Sequence, residues 1–241
     1  MSGHRPVILV IEHETDCPPA HLGRWLSEAG CHLEVRRPYL GDDLPTDLAA
    51  YDALLVLGGA MGATDDEDHP WLPTVRELVR QADSSRVPTL GVCLGHQLAS
   101  VALGGVSGRN PRGHHVGLVP VIWAPSAEQD PLLGSVRFAT QAAHWNLDLV
   151  TSLPEGAEVL ATTPQGDVQA ARLAPTVWGV QCHPEIDHEI FRSWADSARE
   201  ECELLGVDAD RLTADLRRAE PELRAAWRPL AASFAALAAG R

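Results

Sequence analysis

With 241 residues the chain is long enough for one large domain or two small ones with a sizeable core. Its 45% hydrophobic and 22% charged residues are ordinary for a soluble globular protein. The formal charge of −14 argues against a sequence-independent grip on nucleic acid or on an anionic membrane, since both need a basic surface.

In chain order, Val7 to Ile11 is a short apolar, β-branched run that reads as a buried first strand. Pro18 and Pro19 then open a helical stretch in which Leu22, Trp25, Leu26 and Ala29 share one face, with Gly30 as its stop. Leu33 to Arg37 reads as a second strand, and Tyr51 to Leu57 as a third that ends at Gly58-Gly59. A helix over Trp71 to Ala82 precedes a fourth strand, Thr89 to Val92. Strands alternating with helices predict an α/β fold with a parallel sheet covered on both faces. Ligands of such sheets bind beyond the carboxyl ends of the strands, where Gly58-Gly59 and Cys93 are expected.

After Gly104-Gly105 the pattern changes to short strand-like runs punctuated by turn residues. These are His115 to Ala124, Gly134 to Ala139, Glu158 to Thr162, Val168 to Leu173 and Val177 to Gln181. Hairpins and an antiparallel sheet edge are expected there. From Asp187 onward the chain reads as helical, with Asp187 and Asp208 as caps and Pro221 in the first turn of a third helix. Leu223, Trp227, Leu230, Phe234 and Leu237 make an apolar stripe along that last helix. It packs either on the chain's own body or on a second copy or another protein. The division expected is residues 1–190 as the main domain and 191–241 as a helical extension.

The chemistry centres on Gly91-Val92-Cys93-Leu94-Gly95-His96-Gln97, where a strand passes directly into a helix. Gly-x-Cys-x-Gly in that context is the cysteine form of a nucleophile elbow, whose tight turn leaves no room for side chains at the two glycines. The helix that follows directs unpaired N–H groups at the sulfur and favours its thiolate. A buried structural cysteine is the commoner fate of a free thiol. Against that stands Gln181-Cys182-His183-Pro184-Glu185, which follows an apolar strand. A cysteine nucleophile needs a base and then an acid, and histidine serves both near neutral pH. His183 and Glu185 lie two apart in extended chain, so both can share one face and Glu185 can fix the imidazole tautomer. Pro184 holds His183 extended.

Gly58-Gly59-Ala60-Met61-Gly62 reads either as a plain turn or as a loop whose N–H groups approach an oxyanion. His144-Trp145-Asn146 reads as a loop with polar groups that line a pocket or face solvent. Neither His114-His115 nor His188 has metal-ligand spacing, and no metal or cofactor is assigned. The run Asp65 to Asp68 reads as a solvated approach to a helix. Five scattered cysteines without a Cys-x-x-Cys pair point to a reducing cytosol. The sequence shows no signal-peptide pattern and no charge-free apolar span of about 20 residues.

Together, Gly-Val-Cys-Leu-Gly-His-Gln, the later Gln-x-His-Pro-Glu and the Gly-Gly after the third strand resemble the class I glutamine amidotransferases of the Cys-His-Glu triad type. The likeness is to the glutaminase domain of GMP synthase and its stand-alone relatives, and it covers about Val7 to Glu185. It implies a flavodoxin-like, doubly wound, mostly parallel sheet. It also implies that Cys93 attacks the side-chain amide of glutamine while the backbone N–H groups of Gly59 and Leu94 hold the oxyanion. His183, steadied by Glu185, protonates departing ammonia, and water cleaves the thioester. Gly58, Gln97, His144, Trp145 and Asn146 correspond to places where such proteins hold glutamine.

Ala60 stands where proline is common, Cys182 where phenylalanine is frequent, and the His-Trp-Asn loop matches only loosely. No P-loop or second α/β domain follows, so any ammonia acceptor is on another chain. The same triad would also serve a larger γ-glutamyl amine or peptide. A third possibility is a non-catalytic subunit that regulates a partner. A homodimer through the C-terminal helices is the remaining partner expectation.

Overall fold

Val7–Ile11 forms strand β1, and all its residues are apolar because the sheet is covered on both sides. The computed structural model describes residues 4–241. After β1 come α1 (Ala20–Glu28), β2 (His32–Arg36), β3 (Ala53–Val56), α2 (Leu72–Ser84), β4 (Thr89–Val92) and α3 (Leu94–Ala102). The second half supplies β5 (Val106–Arg109), β6 (His115–Pro120), β7 (Ile122–Trp123), β8 (Gln141–Asn146), β9 (Asp148–Ser152), β10 (Glu158–Thr162), β11 (Val168–Ala174) and β12 (Val177–Val180). Helices α4 (His188–Ser197), α5 (Arg199–Leu204) and α6 (Ala209–Ala239) complete the chain.

The main sheet runs in the order β2-β1-β3-β4-β12-β11-β10-β7. Its first five strands are parallel, and β11, β10 and β7 extend it as an antiparallel edge. This is the flavodoxin-like order that the resemblance implies, with the antiparallel edge expected from the strand pattern. Two small antiparallel ribbons, β5 with β9 and β6 with β8, stand beside it.

Alternate residues of β1 and β3 point to opposite faces. Ile8, Val10 and Leu55 meet Leu22, Trp25 and Leu26 of α1 and Trp227, Leu230 and Phe234 of α6. Leu9, Ile11, Leu54 and Val56 meet Leu72, Val75 and Val79 of α2 and Leu94 and Leu98 of α3. The stripe on the last helix is therefore packed on the chain's own body, with Leu223 and Leu237 partly buried at its ends.

Three expectations are corrected. His144 to Asn146 is not a loop: it ends β8, which pairs with β6 from His115↔Asn146 to Pro120↔Gln141. Gly134 to Ala139 is not a strand but begins in a short 3-10 turn, because the Asp130 carboxylate accepts from the Leu132 and Leu133 N–H groups and coils the backbone. Pro221 does not start a helix. It lies inside the 31-residue α6, whose burial on both sides of it, at Leu216 and Trp227, outweighs the lost backbone bond. Asp187 and Asp208 do cap α4 and α6, accepting from Glu189 and Ile190 and from Arg211.

Candidate active site

Cys93 occupies the sharp turn between β4 and α3 with φ 51° and ψ −108°, a left-handed backbone strained for any L residue. The turn holds because its glycines allow contacts that no Cβ would fit. A Cβ on Gly91 would lie 2.4 Å from the Gly95 carbonyl, and one on Gly95 would lie 2.0 Å from the Val56 oxygen. The Cys93 N–H donates to the Val180 oxygen at 2.8 Å, tying the elbow to β12.

That tie brings in the second motif, since His183 follows β12 by three residues. The His183 N–H donates to the Ala143 oxygen at 2.9 Å, and its Nδ1 lies 2.7 Å from Oε1 of Glu185. Both side chains are almost wholly buried. Burial opposes a charge on His183. The Glu185 carboxylate, and after it the Cys93 sulfur, outweigh burial and push its pKa up to about 10. Gly58 makes the approach possible: a Cβ there would sit 3.0 Å from Cε1 of His183 and 3.7 Å from Cβ of Cys93.

Two cavities share the walls Gly59, Ala60, Cys93 and Trp145. The larger, about 420 Å³, adds Gln97, Arg109, Asn146 and Asp148. The smaller, about 240 Å³, adds His183, Glu14, Cys17 and Trp194. Leu94 opens α3, so its N–H has no carbonyl one turn earlier within the helix. Gly59 packs beside it, since a Cβ on Gly59 would lie 2.9 Å from the Leu94 side chain. Gln97 reaches the larger cavity with its amide nitrogen already bonded to the Asp148 oxygen at 3.0 Å and to Gln181 at 3.4 Å.

His144 lines neither cavity. It is fully buried, bonded to Asn146 Oδ1 at 3.0 Å, and burial lowers its pKa to about 3. It shares a face of β8 with Asn146 and lies behind it, while Trp145 and Asn146 remain at the cavities. His114 and His115 are drawn to different carboxylates, Glu201 and Asp167.

Sequence reasoning quoted Gln181 in its motif but gave it no role; its amide N–H donates to the Cys93 sulfur at 3.6 Å. Its signal was its spacing, two residues before His183 and hence on the same face. Sequence reasoning missed Trp194, whose ring packs edge-on against His183 with centroids 4.8 Å apart. No sequence pattern marks Trp194, because its contact depends on how α4 folds back.

The model for glutamine amidotransferase class-I matches residues 20–193. The chain belongs to that family. It is 30% identical over 191 residues to gamma-glutamyl peptidase 5 of Arabidopsis thaliana, covering 78% of this chain and 74% of that protein. It is also 30% identical over 187 residues to a glutamine-hydrolyzing GMP synthase subunit of Saccharolobus solfataricus, covering 70% of this chain and 93% of that protein. Among solved structures, a glutamine amidotransferase of Thermotoga maritima superposes with a TM-score of 0.84. At 23% identity, over 96% of this chain and 99% of that one, it shares the fold. Among the described residues, no helix of this class I amidotransferase is long and apolar enough to cross a membrane.

Proposed function

We propose that this amidotransferase hydrolyses the side-chain amide of glutamine to glutamate and ammonia through a thioester on Cys93. The observation that carries the reading is the strained elbow placing Cys93 at two cavities beside a His183 ring held by Glu185. The Cys93 thiolate attacks the amide carbon, and the carbonyl electrons move onto oxygen. The N–H groups of Gly59 and Leu94 stabilise that oxyanion. Collapse breaks the C–N bond, and the His183 imidazolium gives its proton to the departing nitrogen. Water, deprotonated by the same imidazole, then attacks the thioester, releasing glutamate and returning the sulfur to thiolate. Gly58, Gln97, Trp145 and Asn146 shape the place where the glutamyl group lies. Ammonia passes to an acceptor enzyme on another chain, a reading supported by the Saccharolobus relative, which is itself one subunit of a synthase.

A second reading, cleavage of a larger γ-glutamyl amine or peptide, is favoured by the room beside His183 and by the plant peptidase relative. The test incubates the purified chain with glutamine and several γ-glutamyl amides and follows glutamate together with ammonia or amine. Release by the wild type and none by Cys93→Ser is expected. Equal release by both sinks the thioester route.

A further inference from the structure

Both cavities reach Cys93, but His183 lines only the smaller one. In the chemistry proposed above, His183 protonates the nitrogen that leaves, so the leaving group departs on that side. The polar walls of the larger cavity, Gln97, Arg109 and Asp148 among them, then suit the charged end of the glutamyl half. Departing ammonia is about the size of a water, which takes up about 30 Å³ of liquid. The space of about 240 Å³ beside His183 is several times that.

The walls of this space have a definite chemistry. Trp145 and Trp194 are half-buried, with ring centroids 6.5 Å apart and planes inclined at 61°. Glu14 and Asp16 join the lining, no arginine does, and the one cationic side chain in the wall, His183, is already paired with Glu185 at 2.7 Å. Among the described residues, neither carboxylate has a basic partner within 4.0 Å, whereas nearby Glu12 is paired with Arg37 at 2.8 Å. The Trp194 indole N–H donates to the Asp16 backbone oxygen at 2.9 Å, fixing the aromatic wall against the acidic loop. Glu14 accepts only from the neutral Cys17 thiol, at 3.2 Å. Aromatic faces joined to carboxylates that lack a cation attract an ammonium group and repel a carboxylate.

We propose that the smaller cavity is a leaving-group subsite selecting γ-glutamyl amides of amines that carry a second positive charge. The inference rests on the γ-glutamyl chemistry of Cys93. Sulfur adds to the γ-carbonyl carbon, the C–N bond breaks, and the amine leaves with the His183 proton. Its alkyl body lies along Trp145 and Trp194, and its distal ammonium faces Glu14 and Asp16. Water completes the turnover to glutamate.

The test compares kcat/KM for glutamine and for the γ-glutamyl amides of butylamine, of 1,4-diaminobutane and of an amino acid, using the full chain. The diamine derivative should exceed the butylamide by about tenfold and the amino-acid derivative by more. Asp16→Asn and Glu14→Gln should each bring the diamine-to-butylamide ratio toward one, a change that general loss of fold would not produce. Equal rates for the three amides, or a preference for the anionic one, overturn the subsite while leaving glutamine hydrolysis standing. No Cys93-dependent cleavage of any of the four overturns both the subsite and the function it rests on.

Discussion

Gly95 touches Val56 so closely that a Cβ on Gly95 would lie 2.0 Å from the Val56 backbone oxygen. That approach seats the first turn of α3 against the end of β3 and forces Cys93 into its left-handed turn. Gly95→Ala must separate helix from strand, and we expect a loss of about 3 kcal/mol in denaturant unfolding, the upper end for overpacking. Gly108 is the matched control: nothing lies within 4 Å of its would-be Cβ. Gly108→Ala should stay within about 0.5 kcal/mol of wild type. Similar midpoints for the two variants would contradict this account of the elbow.

Thiol reactivity should single out Cys93. Burial, the largest cause in each case, pushes up the thiols of Cys17, Cys31, Cys182 and Cys202. Cys17 also reaches the smaller cavity, but its thiol donates to Glu14 at 3.2 Å. Iodoacetamide under native conditions should modify Cys93 first, and Cys93→Ser should remove the fast phase. Mapping the fast label to Cys17 instead would refute the assignment.

The elbow, the parallel strands and the His183–Glu185 spacing were legible for a common reason. Each is fixed by its own few residues: continuous apolar runs for strands buried on both faces, glycines for the turn, a two-residue period for the pair. What stayed hidden depends on distant partners. The run Gln141-Ala-Ala-His-Trp has little strand character of its own, and β6 supplies its pairing. Pro221 looks like a helix start, and only the burial of α6 on α1 and the sheet carries the helix through it. Trp194 and Glu14 are 180 residues apart, so no local pattern could have shown that they wall one cavity.

The same burial makes α6 a structural element of the whole body. Trp227 is 2% exposed and Phe234 is fully buried between the sheet and the last helix. Trp227→Ala or Phe234→Ala should each cost about 3–5 kcal/mol in chemical unfolding. A loss below 1 kcal/mol for both would mean that the helix is detachable from the core.

Removing the Glu185 charge should move the pH profile. Glu185 is the first of the groups that hold His183 charged against burial. With Glu185→Gln, His183 releases its proton at lower pH, and the general acid disappears earlier as pH rises. The alkaline limb of kcat should therefore shift to lower pH, with kcat itself reduced. An unmoved limb in the variant would separate Glu185 from the state of the imidazole.

Acid stability gives the last test and involves different histidines. His13, His96 and His144 are completely buried, and burial is the largest cause lowering their pKa values to about 3, 4 and 3. Above the unfolded value of about 6.5 they are neutral in both states and set no pH dependence. Below it the unfolded chain takes up protons that the folded chain refuses. Stability is thus lost as pH falls from about 6.5 toward the folded values, by up to about 1.4 kcal/mol per pH unit for each histidine. Melting temperature should drop steeply between pH 6.5 and 4.5. His144→Gln, which keeps the Asn146 hydrogen bond within reach and cannot titrate, should flatten that slope in part, since burial also lowers His21 and His115 and these continue to contribute. A slope identical to wild type would show that His144 is not among the groups that acid unfolds.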